Sequence, residues 1–124
     1  METEKVICFT EKEEEFTKLL IEIGTKRKVA KVLVFLANTP EATSKDIEQG
    51  TDLKQPEISI AMQYLIGQGW ILYRKGKTEC KGRPVKIYGL SRPLHEIIDS
   101  IEREKVKEAA TQIVLIQKLQ YYLR

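Results

Sequence analysis

The chain has little of the chemistry that metal sites and nucleophilic active sites require. Its 124 residues include one histidine, His95, and two cysteines, Cys8 and Cys80, which stand far apart in the sequence. A zinc site needs a cluster of such ligands at short spacings, and a catalytic triad needs a histidine to activate its nucleophile. We therefore expect no enzymatic activity, no metal and no cofactor. At most one disulfide is possible, which fits a reducing compartment.

A long apolar run is also missing. Hydrophobic residues make up 42% of the chain and charged residues 31%, which is the composition of a globular protein. No segment approaches the roughly 20 apolar residues that span a bilayer, and residues 1–10 are too short and too acidic for a signal peptide. These features predict a cytoplasmic protein with one domain, or one domain and an appended helix, and they exclude a two-domain enzyme.

Positive charge is concentrated in the middle of the chain, although the net charge is only +3. Residues 1–24 carry three basic and seven acidic side chains, residues 25–90 twelve and six, and residues 91–124 six and five. Within residues 73–86, six basic side chains accompany a single acid, Glu79. Such a cluster attracts polyanions, but a merely solvated charged surface has the same composition. The neighbouring elements have to decide between these two interpretations.

Capping residues and apolar spacing predict two amphipathic helices and a short third one. Thr10 with Glu13, and Thr43 with Asp46, have the form of capping boxes, and Thr25 is predicted to cap the second helix. The apolar positions recur every three or four residues, as on one face of a helix. They are Phe16, Leu19, Leu20 and Ile23 in the first helix, and Val29, Val32, Leu33 and Leu36 in the second.

A fourth helix is predicted to follow a tight turn at residues 50–53. Pro56 suits its first turn, because the N–H group that proline lacks would have no partner there. The predicted buried stripe consists of Ile58, Ala61, Met62 and Leu65. The opposite face carries Gln55, Glu57, Ser59, Ile60 and Gln63.

After Gly69 the pattern changes from helical to extended. Residues 70–75 and 85–90 are rich in β-branched and aromatic side chains, so they predict a hairpin with a long basic tip. We expect Trp70 and Tyr73 to lie in the core rather than to stack on bases. Ser91 and Pro93 then begin a helix of about 31 residues, roughly 46 Å long, that extends to Leu123.

The order helix, short helix, turn, helix and hairpin resembles the winged helix-turn-helix. Residues 43–47 (Thr-Ser-Lys-Asp-Ile), 53–59 (Leu-Lys-Gln-Pro-Glu-Ile-Ser) and 69–71 (Gly-Trp-Ile) are similar to transcription regulators of the MarR, ArsR and TrmB type. The run Gln-Pro-Glu-Ile-Ser resembles archaeal regulators of this superfamily. The likeness covers about residues 25–90. It implies a mainly α fold with a small β-hairpin, a recognition helix over residues 55–68 and a wing over residues 70–90.

The resemblance implies binding of double-stranded DNA, with the recognition helix in the major groove and the wing on the backbone. Glutamine can pair with adenine, glutamate can accept from cytosine, and isoleucine can contact a thymine methyl group. The residues predicted to face bases are Gln55, Glu57, Ser59, Ile60 and Gln63. Those predicted to face phosphate are Thr43, Ser44, Lys45, Lys54, Arg74, Lys75, Lys77, Lys81 and Arg83.

Two features depart from the pattern of these regulators. No Lys or Arg occurs between Gln55 and Tyr73, whereas many recognition helices carry one or two. In addition, Lys54 occupies the position where a serine usually caps the helix, so the start of the helix is expected to depend on Pro56 and on tertiary contacts.

The long last helix predicts a homodimer. It outreaches the core of one small domain, and Val106, Ala109, Ile113 and Ile116 recur at alternating steps of three and four. Residues 1–24 (strand and helix) are expected to complete the interface, residues 25–90 to bind DNA, and residues 91–124 to dimerise. The predicted interface residues are Phe16, Leu20, Ile98, Ile101, Val106, Ile113, Ile116 and Leu123.

These expectations define a homodimeric, sequence-specific transcriptional regulator that binds double-stranded DNA. A small-molecule effector of unknown identity is a further possible partner, and no membrane is expected to be one. The alternative is a winged-helix module that binds another protein within a transcription complex or another assembly, without specific DNA recognition, because a fold alone does not determine function.

Overall fold

The structure, a computed structural model, describes residues 10–78 and 84–124. These residues form five helices and a two-stranded antiparallel sheet, which confirms the predicted mainly α class with a small hairpin. The elements are α1 (Glu11–Glu22), α2 (Arg27–Asn38), α3 (Ser44–Thr51), α4 (Gln55–Gly67), β1 (Ile71–Thr78), β2 (Pro84–Leu90) and α5 (Leu94–Tyr122). The chain divides into two compact units, one that ends at Arg92 and one from Pro93 to Arg124.

Two of the predicted helix starts are confirmed as capping boxes. The N–H of Thr10 donates to Glu13 Oε1 at 2.8 Å, and the N–H of Glu13 donates to Thr10 Oγ1 at 3.2 Å. Thr43 and Asp46 make the same reciprocal pair, each bond at 3.1 Å. The prediction for α2 was wrong, because Lys26, rather than Thr25, is its N-cap and provides no side-chain hydrogen bond.

The core of the first unit is built around α2. This helix packs against α1, α3, α4 and β2, and Val32 and Leu33 have no exposed surface. The predicted apolar stripes of α2 and α4 are confirmed, since every member is buried. On α1 the buried face is narrower: Leu20 is buried, whereas Leu19 and Ile23 are exposed.

The turn between α3 and α4 depends on a left-handed residue. Asp52 has φ 65°, a region that few residues other than glycine adopt but that aspartate tolerates, and its N–H donates to the Glu48 carbonyl at 3.0 Å. Lys54 then precedes α4 without a capping side chain, as expected. Glu57 supplies half of a capping box, because its Oε1 accepts from the N–H of Lys54 at 3.0 Å.

The hairpin is joined to the start of the helix-turn-helix. Its strands pair in register from Ile71 with Leu90 to Lys75 with Lys86. Ala42 and Tyr88 form an additional antiparallel bridge, with N–H···O distances of 3.0 and 2.8 Å. The position of the wing is therefore set by backbone bonds to the segment just before α3.

The two aromatic residues at the start of the hairpin have different environments. Trp70 is buried, as predicted, and its ring makes an edge-on contact with Tyr64. The core prediction was wrong for Tyr73, which is 49% exposed and packs edge-on against Tyr88 across the two strands. Alternation along the strand does not explain this exposure, because Tyr73 lies two residues from buried Ile71 and therefore on the same face of the hairpin.

The second unit consists of α5, whose 29 residues agree with the predicted long helix. Ile97 and Ile101 are buried, whereas residues 102–124 are exposed throughout. Leu20 and Ile101 are buried in the single chain, and their interface role stays a prediction. None of the helices in the described ranges is both long and apolar enough to cross a membrane.

The close approach of the wing to residue 40 predicts a steric effect at Gly89. A Cβ atom at Gly89 would lie 2.8 Å from the Pro40 carbonyl oxygen, which is fixed backbone. We expect Gly89→Ala to lower the free energy of unfolding by about 1–3 kcal/mol in urea denaturation, because the hairpin must shift. The matched control is Gly67→Ala, where nothing lies within 4 Å.

The control variant should match the wild type or gain up to about 1 kcal/mol, because alanine is the better helix former. Equal stability of the two variants would contradict the proposed close approach.

Candidate nucleic-acid interface

The outward face of α4 is polar at its edges and apolar in the middle. Successive residues of an α-helix turn by about 100°, which places Pro56, Ile60 and Gln63 opposite the buried stripe and Ser59 beside them. All four are exposed, and Ile60 is 56% exposed. This strip of Pro56, Ser59, Ile60 and Gln63, called the outward strip below, carries hydrogen-bonding groups around an isoleucine and has no charge.

Gln55 is held against α3 rather than left free. Its Nε2 donates to Glu48 Oε1 at 2.9 Å and to the Ser44 carbonyl at 3.4 Å. Both partners are acceptors only, so the amide nitrogen, and not the amide oxygen, must face them. Gln55 therefore connects α3 with the first turn of α4, and its carbonyl oxygen is the group left for a ligand.

Glu57 is also engaged within the protein. It is half-buried, and its carboxylate caps the backbone of Lys54 at the start of α4. A carboxylate at a helix N-terminus interacts favourably with the helix dipole and would lose that interaction on turning towards a base. The structure thus gives Gln55 and Glu57 roles in positioning the helix that were absent from the sequence-based prediction.

The predicted phosphate contacts on α3 and in the turn differ in exposure. Thr43 and Ser44 are half-buried, and the hydroxyl of Thr43 accepts from the N–H of Asp46 as the helix cap. Lys45 and Lys54 are exposed. The two lysines thus provide positive charge at the start of α3 and of α4.

On the hairpin, Arg74 is paired with an acid. Its Nη2 lies 2.9 Å from Glu41 Oε1 and its Nε lies 3.4 Å from Glu41 Oε2, an almost bidentate geometry. Both side chains are more than half exposed, and exposed ion pairs contribute little to stability. Glu41 therefore neutralises Arg74 locally without burying it, and a phosphate would have to compete with this carboxylate.

Lys75 and Lys86 bring like charges together on the paired strands. They are register partners and both are exposed, and Lys86 Nζ lies 4.7 Å from the centre of the Tyr73 ring. A cation over an aromatic face is stabilised electrostatically, which partly offsets the repulsion between the lysines. The described part of the hairpin is thus a basic surface held in a defined geometry.

Several predicted residues stay predictions. Lys77 belongs to β1, while Lys81 and Arg83 lie outside the described residues, as do both cysteines. Two features were missed by sequence reasoning, the Glu41–Arg74 pair and the Gln55–Glu48 bond. The paired residues are 33 and seven positions apart and do not share a helix or strand, and neither pair follows a periodic pattern in the sequence.

A cleft of about 670 Å³ lies between α1, α2 and the end of α3. Most of its lining residues are polar or charged, including Lys18, Arg27, Lys31 and Asp52. Apolar atoms nevertheless contribute slightly more of its lining surface than polar atoms, and the cleft is partly open to solvent, whereas small-molecule sites are usually enclosed. Within residues 10–78 and 84–124, no three His, Cys, Asp or Glu side chains are grouped as a metal site.

Solved structures share this fold. The chain resembles a possible transcriptional regulator from Methanosarcina mazei at 14% identity and a TM-score of 0.62, over 81% of this chain and 82% of that one. It resembles NMB1585, a MarR family regulator from Neisseria meningitidis, at 18% identity and a TM-score of 0.52, over 86% and 84% of the chains. NadR, described in complex with 4-hydroxyphenylacetate, matches at 13% identity and a TM-score of 0.55, over 89% and 82%.

At these identities the likeness establishes the fold, which is the winged helix-turn-helix found in MarR family transcriptional regulators. No family model and no curated protein sequence matches the chain.

Proposed function

We propose that the protein is a transcriptional regulator that binds double-stranded DNA sequence-specifically as a homodimer. The observation that carries the proposal is the outward strip of α4, which presents uncharged hydrogen-bonding groups in a fold that also carries a basic hairpin. The winged-helix likeness supports it. The run Gln-Pro-Glu-Ile-Ser is the basis for extending the proposal to a regulator of archaeal type.

Base contacts are assigned to the outward strip. Ser59, Ile60 and Gln63 are exposed and opposite the buried stripe, so they can approach base edges when α4 lies in the major groove. Gln55 and Glu57 act chiefly in fixing the start of α4, because both side chains are already bonded to neighbouring groups. The base-recognising set is therefore smaller than the one predicted from the sequence.

Phosphate contacts are assigned to the basic residues around the outward strip. Lys45, Lys54, Lys75 and Lys86 are exposed, and Arg74 becomes available when phosphate displaces Glu41. Lys77, Lys81 and Arg83 extend the same set along the wing in sequence. Such contacts supply affinity that does not depend on sequence.

Dimerisation is assigned to α5. Val106, Ile113, Ile116 and Leu123 recur at heptad-like spacing, and all are exposed in the single chain. Four exposed apolar residues on one helix favour packing against a second helix, which would remove them from water. The proposed contact does not rest on Leu20 and Ile101, which are buried in the single chain. A two-fold dimer would place two copies of α4 on half-sites about one helical turn apart.

A protein-binding module is the second candidate. The observation in its favour is that α4 exposes three large apolar side chains, Ile60, Tyr64 and Ile66, and carries no cation. Such a module would form a stable protein complex and bind DNA weakly, with little dependence on salt. A small-molecule effector stays a prediction.

The charge of the hairpin predicts salt-dependent DNA binding. In titrations of a duplex at several salt concentrations, the affinity should fall with a log–log slope of about 0.9 per phosphate contacted. Replacing Lys75 and Lys86 together by alanine should reduce the slope by about two. The matched control removes Lys105 and Lys107 on α5 and should keep the wild-type slope. A flat wild-type slope would favour the protein-binding alternative.

The Glu41–Arg74 pair predicts a variant that binds DNA more tightly. Glu41→Gln removes the carboxylate that competes with phosphate for Arg74, so affinity at low salt should rise and the salt slope should steepen by up to about one. Glu108→Gln is the control, because it makes the same charge change and releases Lys105 on α5. An unchanged or weaker affinity of Glu41→Gln alone would contradict the role of Arg74.

The exposed seam of α5 predicts the effect of introducing a charge there. Ile113→Asp should convert the dimer into a monomer in sedimentation equilibrium, because the carboxylate would be buried without a partner. Thr111→Asp introduces the same charge on the face of α5 opposite the seam and should stay dimeric. A monomeric wild-type protein, or dimers of both variants, would refute dimerisation through this seam.

A further inference from the structure

We propose that the base pairs contacted by α4 are A·T pairs, recognised by Ile60 through the thymine methyl group and by Gln63 through the adenine edge. The inference rests on the proposed function and specifies its substrate class. The ligand would be duplex DNA whose half-sites carry A·T pairs at the positions covered by the outward strip.

Ile60 lies on the side of α4 that faces away from the core. It lies opposite the stripe of Ile58, Ala61, Met62 and Leu65, and more than half of it is exposed. An isoleucine makes no hydrogen bond, so it contributes to recognition only against an apolar group. In the major groove the apolar group of the base pairs is the C5-methyl of thymine.

Gln63 lies three residues further along the same strip. Its amide is exposed, and its position outside the contact between α3 and α4 distinguishes it from Gln55. An amide supplies one donor and one acceptor side by side, which match N7 and N6 of adenine. Ile60 and Gln63 are thus suited to the two bases of A·T pairs at neighbouring positions.

Recognition of guanine is disfavoured by what α4 presents. Guanine offers two acceptors, which Arg or Lys contacts most commonly, and neither residue occurs between Gln55 and Tyr73. A G·C pair opposite Ile60 would lose water from its polar groups without receiving a hydrogen bond. The chemistry of the strip therefore selects against G·C pairs as well as for A·T pairs.

The first test is selection of bound duplexes from a random-sequence pool by the full-length chain. We expect the enriched sites to carry A·T pairs at two or three consecutive positions in each half-site. Enrichment of G·C pairs throughout the protected half-sites would overturn the inference while leaving DNA binding intact. Failure to enrich any sequence, together with a flat salt dependence, would instead refute the proposed function.

The second test removes single groups from the selected duplex. Deoxyuridine in place of thymine deletes only the methyl group, and it should weaken wild-type binding about fourfold at the position that Ile60 contacts, the value of one buried methyl group. Ile60→Ala should bind the thymine and the deoxyuridine duplex equally. Ile66→Ala changes another exposed isoleucine of α4, six residues further along and about 120° around the helix from Ile60, and should keep the fourfold difference.

The predicted contact between Gln63 and adenine is tested in the same way, by removing one group from the duplex. Replacing adenine by 7-deazaadenine removes the N7 acceptor, which should weaken the wild type but not Gln63→Ala. Circular dichroism checks that the variants fold, which their exposed positions favour. If the wild type binds every thymine-to-deoxyuridine duplex as tightly as the parent, recognition through the methyl group is refuted.

Discussion

The burial of one face of α4 against α2 determines which residues the protein can offer to a ligand. Ile58, Ala61, Met62 and Leu65 are buried in the core around α2, so the helix cannot rotate without exposing apolar surface. Ser59, Ile60 and Gln63 are exposed as a direct result. The proposed interface therefore follows from core packing, and it needs no special conformation of the recognition residues themselves.

Two hydrogen-bonded contacts fix the position of the elements beside this helix. The Ala42–Tyr88 bridge joins the wing to the segment before α3, and the Gln55–Glu48 bond joins α3 to the start of α4. Backbone pairing is stiff, whereas a single exposed side-chain bond is worth about 1 kcal/mol. The wing and the start of α4 are thus both held in position relative to α3, and the wing is held by the stiffer of the two contacts.

The sequence predicted local features of the structure better than features that depend on tertiary contacts. The capping box of Thr43 and Asp46 and the apolar stripe of α4 were predicted correctly, because short spacings encode them. Thr25 was wrongly predicted to cap α2, and Tyr73 was wrongly predicted to be buried. Both predictions failed because tertiary packing determines where the α1–α2 turn ends and how far the core extends. The Glu41–Arg74 pair was not predicted, because nothing in either local segment indicates the other.

The central claim is that the outward strip of α4 contacts the bases of duplex DNA. The most direct measurement is the change in backbone amide NMR signals of the isotope-labelled protein when a selected duplex is added. The account predicts the largest changes at Ser59, Ile60 and Gln63, with smaller ones at Lys75 and Lys86. Unchanged signals along α4, with changes confined to another surface, would contradict it.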